Sequence, residues 1–345
     1  MKKNCILWLL IVALCLGLSG CGGLRKAKKQ YSATYLTLFD TVTTVVGVDE
    51  SEAAFREKAQ KIHDALLVYH RLFDIYHEYE GINNLKTVNN RAGIEPVKVD
   101  QAILDLLTDC KGFYDLTGAK VNVAMGSVLS LWHEARNAAL ENSASPVLPD
   151  KNALEEAARH TDLSSVVIDK AASTVYITDE NARLDVGAIA KGWAVQQVAE
   201  NAPEGLLISV GGNVVATGPK DAQGTPWVVG IQDPDHADEH LHTILVTGGA
   251  VVTSGDYQRT YTVDGKQYHH IIDPETRMPG EYWSSVTVVC ADSAVADALS
   301  TALFLLPLEE GKALAENCDA QVLWVDCQRN KHMTPGFQKM LRPEK

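Results

Sequence analysis

Residues 206–217 read Leu206-Leu-Ile-Ser-Val210-Gly211-Gly212-Asn213-Val-Val-Ala-Thr217, two short apolar runs parted by a glycine pair. Runs of this length are too short for ordinary helices, so they predict strands at 206–210 and 213–217 that meet at a tight turn. Toward the C-terminus, further strands are predicted at 226–232 and 242–247, with Gly248-Gly249 closing the second. Asp264-Gly265 then marks a hairpin between 261–263 and 267–272. Strands that follow one another so closely pair with their sequence neighbours. The chain therefore reads as α+β, with mixed, largely antiparallel sheets and packed helices, rather than as a doubly wound parallel sheet.

The N-terminal half fits the same class. Residues 34–48 (TYLTLFDTVTTVVGV) are rich in β-branched and aromatic types and predict strand, broken near Phe39-Asp40. Ser51 can cap a helix whose apolar face is Phe55, Ala59, Ile62, Leu66, Tyr69 and Phe73. Residues 80–99, with their Gly, Asn and Pro, predict loop, and Asp100 caps a second helix to about Tyr114. A hairpin over 166–178, a short strand at 184–186, helices over 189–199 and 293–306, and strands over 285–290 and 321–325 complete the expectation.

The chain has 345 residues, 46% of them hydrophobic, and a formal net charge of −13. It is long enough for a substantial core, and its acidity argues against nucleic acid as a partner. Residues 1–20 have a basic start at Lys2 and Lys3 and an apolar run from Cys5 to Leu18, too short to span a bilayer and fitting a secretory signal. Leu18-Ser19-Gly20-Cys21 resembles the lipobox of bacterial lipoproteins, which makes Cys21 the expected lipidated first residue of the mature chain. Residues 21–33 are then a flexible, basic tether to a membrane surface. The expected location is the extracytoplasmic face of the cell membrane, lipid-anchored. Cys110, Cys290, Cys318 and Cys327 lack metal-type or paired spacing and are expected as buried free thiols, with disulfides left open.

No GxSxG, HExxH, GxGxxG or P-loop occurs, which removes the common hydrolase and dinucleotide signatures. Four clusters suit phosphate or metal chemistry. Asp185-Val-Gly187-Ala188-Ile-Ala-Lys191-Gly192 puts an acid before a tight turn and the N–H groups of an opening helix. Val210-Gly211-Gly212-Asn213 allows close approach of a ligand to the backbone. In His269-His270-Ile271-Ile272-Asp273-Pro274, strand alternation puts His270 with Ile272 on one face and His269 with Ile271 on the other. Asp297 and Thr301 are four apart on a helix and offer a carboxylate and a hydroxyl, hard oxygen ligands that suit Mg²⁺ better than zinc.

In this order, and together with Phe39-Asp40-Thr41, Tyr76, Gly118–Ser127 and Thr253–Tyr257, these clusters resemble the FAD:protein FMN transferases, the ApbE-like lipoproteins. The resemblance runs from about Thr37 to Pro335. It implies a two-lobed, T-fold-like single domain over 34–340. It implies Mg²⁺ held by Asp297, Ser300, Thr301 and the backbone oxygen of Ala188. It implies an FAD site lined by Phe39, Tyr76, Lys120, Val121, Asn122, Asp185, Lys191 and Ile272, with His270 activating the acceptor hydroxyl. The reaction implied moves FMN from FAD onto a Thr or Ser hydroxyl of an acceptor protein with an FMN-binding domain and releases AMP. This chain departs from the family pattern at Val121-Asn122, Ser127 and Thr276-Arg277. Two alternatives share the site or the location: an FAD pyrophosphatase giving FMN and AMP, and a flavin-binding lipoprotein that does no chemistry.

Overall fold

The computed structural model describes residues 28–141, 146–236 and 238–343. The signal segment 1–20, Cys21 and the tether as far as residue 27 lie outside the described residues. β1 (Lys29–Leu38) and β2 (Thr41–Asp49) pair antiparallel. The break at Phe39-Asp40 is the turn between them, with φ of 53° and 51°. That left-handed geometry is what a two-residue type I′ turn requires, at a cost of about 1–2 kcal/mol for each side chain that is not glycine. The strand starts earlier than the tether expected over 21–33 allows. Tyr31 and Ala33 pair with Gly47 and Val45 and pack on the core, contacts that a free linker would forgo.

α1 (Glu52–Phe73) opens on Ser51, whose hydroxyl accepts from the Ala54 N–H at 3.2 Å. Within the expected loop 80–99 lie two short elements, the first being α2 (Leu85–Asn90), capped by Asn84. β3 (Val97–Lys98) and the Asp100-capped α3 (Gln101–Leu116) follow. α4 (Gly126–Glu141) and α5 (Lys151–Ala157) lead to the hairpin of β4 (Val166–Asp169) and β5 (Thr174–Ile177).

Residues 184–186 form no strand. The Asn89 side chain takes the place of a neighbouring strand, donating to Leu184 O at 2.9 Å and accepting from Leu184 N at 2.7 Å, while Asp185 N donates to Val123 O. α6 (Ala190–Glu200), β6 (Leu206–Val210), β7 (Asn213–Ala216), β8 (Trp227–Gln232), β9 (His240–Val246) and β10 (Gly249–Gly255) come next. β11 (Tyr261–Val263) and β12 (Lys266–Tyr268) close on Asp264-Gly265. β12 ends before the histidine pair, because the chain there turns to a new partner: Gly280 N donates to Ile271 O and Asp273 N to Met278 O. The C-terminal part is β13 (Trp283–Cys290), α7 (Ser293–Phe304), α8 (Leu308–Asn317), β14 (Gln321–Asp326), β15 (Lys331–Met333) and α9 (Pro335–Met340).

The main sheet has the order β1-β2-β6-β7-β10-β13-β14-β15, and its neighbours pair antiparallel. Alternation sorts its side chains between two cores. Val252, Val286, Val288, Val322 and Trp324 join the core beneath α1, α6 and α7. Val251, Val289, Leu323 and Val325 face the β8–β9 hairpin and Phe337 of α9. The fold is α+β as expected, with both faces of its central strands covered. Cys110, Cys290, Cys318 and Cys327 are free; Cys110 is buried but Cys327 is exposed, contrary to the expectation of burial for all. Among the described residues no helix is long and apolar enough to cross a membrane.

Candidate active site

A cavity of about 820 Å³ opens where the N-terminal end of α6, the middle of α7, the β1–β2 turn and the loops after β10 and β12 converge. Its floor depends on one close helix crossing. At Gly192 a Cβ would collide with the Asp297 Cβ and the Ser293 carbonyl, so only glycine lets α6 lie this near α7. The Gly192 N–H, one of the first-turn donors that a helix leaves without an internal acceptor, donates to Asp297 Oδ2 at 2.8 Å. α6 has no side-chain N-cap, and Asp297 does part of that work from the neighbouring helix.

Asp297 is buried, and burial raises its pKa; the Lys191 ammonium, 3.8 Å from Oδ2, and the Gly192 N–H act the other way. Lys191 also donates to Gly187 O at 3.2 Å, which holds it across the turn. Thr301 and Ala188 line the same wall. Ser300 does not line it. It is fully buried, donates to Asp297 O at 2.9 Å and shares a 2.8 Å hydrogen bond with Ser254 Oγ. The residue expected as a direct metal ligand therefore stands behind the wall and braces Ser254, which does line it.

His270 faces this cavity and His269 a smaller one of about 250 Å³ on the other side, so the division of the pair holds although no strand enforces it. Ile271 nevertheless joins Ile272 in lining the larger cavity. Nδ1 of His270 lies 3.2 Å from Gln258 O, and a carbonyl can only accept. The ring is therefore the Nδ1–H tautomer, with its lone pair on Nε2. Desolvation, then the charges of Arg259, His269 and Lys191, lowers its pKa to about 3, so the ring is neutral at pH 7.

The expected flavin-site residues also gather here. Phe39 sits in the strained turn, its N–H donating to His70 Nδ1 at 3.2 Å. The Tyr76 hydroxyl is 3.2 Å from His133 Nδ1. Lys120 is committed to Asp273 at 3.0 Å and Glu275 at 2.9 Å, tying two lining loops together. Val121 is buried beneath them. Asn122 donates to Thr161 O and accepts from Ala124 N, so its amide is occupied in shaping the loop. Asp185 accepts from Gly187 N at 2.9 Å, and Ile272 lines the wall.

The ApbE family model matches residues 39–324. The chain belongs to the ApbE family. It is 33% identical over 341 residues to the FAD:protein FMN transferase of Treponema pallidum (strain Nichols), covering 91% of this chain and 89% of that one. It is 29% identical over 282 residues to an FAD:protein FMN transferase of Klebsiella pneumoniae (strain 342), covering 78% and 84%. The crystal structure of the ApbE protein from Thermotoga maritima has a TM-score of 0.80 at 29% identity, covering 91% of this chain and 100% of that one.

Within this ApbE-family fold, the cavity residues that escape a reading from motifs include His133 and Arg136 on α4, and Arg259 in the loop after β10. The signal available to find them is compositional. They bring cationic or titratable side chains to α4 and to the loop after β10, and none of the three forms an ion pair among the described residues.

Proposed function

We propose that this ApbE-family chain is an FAD:protein FMN transferase. It moves the FMN moiety of FAD onto a threonine or serine hydroxyl of an exported or membrane-bound acceptor with an FMN-binding domain, releases AMP, and requires Mg²⁺. The observation that carries this reading is the single cavity in which Asp297, Thr301 and Ala188 face Lys191 and a neutral His270.

The donor set fits the ion. Asp297 is a buried carboxylate whose neighbouring cation is 3.8 Å away, Thr301 stands one turn on, and Ala188 lines the same wall. A carboxylate, a hydroxyl and a carbonyl are hard oxygen donors. Asp297, Thr301 and the Ala188 carbonyl would hold Mg²⁺, with Ser300 supporting from behind. When bound, the ion supplies positive charge against the charge that develops on the diphosphate.

The protein groups do the rest. Lys191 adds a second positive charge at the same end. Nε2 of His270, free of its proton, accepts the proton of the acceptor hydroxyl as the oxygen–phosphorus bond to the FMN phosphate forms. The bond from that phosphorus to the bridging oxygen breaks, and AMP leaves with the bridging oxygen. A pKa of about 3 keeps the ring in the accepting form but makes it a weak base in the free protein. An anionic diphosphate beside it would raise its basicity.

Lipidation at Cys21 is part of the proposal: it would put the site on the membrane face where exported acceptors are found. The test is to incubate the purified protein with FAD, MgCl₂ and a candidate acceptor and to weigh the acceptor. A gain of one FMN is expected, and Asp297→Ala should abolish it. Free FMN and AMP formed without acceptor would identify a pyrophosphatase instead, and tight FAD binding without any product a binding lipoprotein.

A further inference from the structure

Arg136 and Arg259 line the cavity, and neither forms an ion pair among the described residues. Among the described residues Arg136 makes a single 3.3 Å contact, with Asn137, and its buried Nε has no hydrogen-bond partner. Buried donors are nearly always bonded, so an orphaned guanidinium nitrogen on a cavity wall points to a ligand that accepts. The two arginines also repel each other, since the charge of Arg259 acts directly on Arg136. An anion seated between two like charges relieves their repulsion. Arg259 further acts on His270 on one side and on Tyr76 and His133 on the other. The pair shares the cavity wall with His270 and Asp297 and with Tyr76.

We infer that Arg136 and Arg259 form a two-guanidinium subsite that holds the AMP-side phosphate of the dinucleotide while the FMN-side phosphate faces His270 and Asp297. This rests on the transferase reading above and adds to it the group that grips the leaving half. The phosphorus under attack has to face His270, so the phosphate on the far side of the bridging oxygen falls to the neighbouring cations. Guanidinium forks match phosphate oxygens in pairs, and their fixed charge would offset the charge gained by the bridging oxygen as its bond breaks.

The experiment titrates AMP and FMN separately into the full chain in detergent with MgCl₂, for wild type, Arg136→Gln, Arg259→Gln and Arg259→Lys. Each glutamine variant is expected to weaken AMP by at least about tenfold, the scale of losing a charge-assisted hydrogen bond. FMN affinity should stay near wild type. Arg259→Lys should recover part of the AMP affinity, because it keeps the charge but loses the fork. The rate of FMN transfer should fall in both glutamine variants. Arg259 is exposed, so its variants decide the matter even if Arg136→Gln fails to fold. Unchanged AMP affinity would overturn the subsite, and FMN weakened more than AMP would overturn its assignment to the leaving half. Wild type that binds neither nucleotide would remove the transferase reading itself, and this inference with it.

Discussion

Burial holds the His270 ring well below an ordinary imidazole, at a pKa of about 3, and Arg259, His269 and Lys191 add to the shift. In the unfolded chain the same ring titrates near 6.5. The unfolded state therefore takes up the proton first on acidification. The stability that neutral, buried His270 allows is complete above about pH 6.5 and is lost as pH falls from there toward 3. Asp297, whose pKa is raised by burial, has the opposite sign and gains relative stability on acidification. In the free protein the melting temperature should drop between pH 7 and 5 more steeply in wild type than in His270→Asn; equal slopes would refute the buried, neutral ring. His270, Asp297, Thr301, Asp185 and Lys191, which line the cavity, each stood out in the sequence through a local pattern of turn, helix spacing or alternation. What the pattern did not show is that Ser300, three residues after Asp297, turns its hydroxyl back to the Asp297 carbonyl.

The elements of the site depend on how near two helices can come. Gly192 sets that distance between α6 and α7, and any Cβ there meets Asp297 and Ser293. Gly192→Ala should lower stability by about 1–3 kcal/mol, as overpacking does, and should reduce Mg²⁺-dependent FMN transfer more than it lowers the melting temperature would suggest. Transfer at the wild-type rate would show that the crossing does not shape the site. Strands bounded by glycine pairs and helices capped by Ser51 or Asp100 could be read from sequence because their boundaries are local chemistry. α4 went unread although Val128, Trp132, Ala135 and Ala139 keep helical spacing along one side, while His133, Arg136 and Asn137 line the cavity. The short segment at 184–186 failed in the opposite way, since Asn89 provides from far along the chain the hydrogen bonds that a strand would take from a neighbour.

Across the whole molecule, the cavity is built from residues that begin at Phe39, well after the proposed anchor. Cys21→Ser should therefore shift the protein from the membrane fraction to the soluble one and leave its rate of FMN transfer to a soluble acceptor unchanged. A lost rate would mean that the lipid or the tether takes part in the chemistry. The general architecture followed from strand order and turn residues; the position of the tether's end did not, because pairing with β2 captures residues that composition alone assigns to a linker.

That capture gives the enzyme a fixed reach. β1 has ten residues, so at about 3.3 Å each the Phe39-Asp40 turn stands about 33 Å from the point where the tether joins. Under the proposed lipidation at Cys21, that rigid strand separates the anchored side of the chain from the cavity, so acceptors would be met at a site offset by about 33 Å from the start of β1.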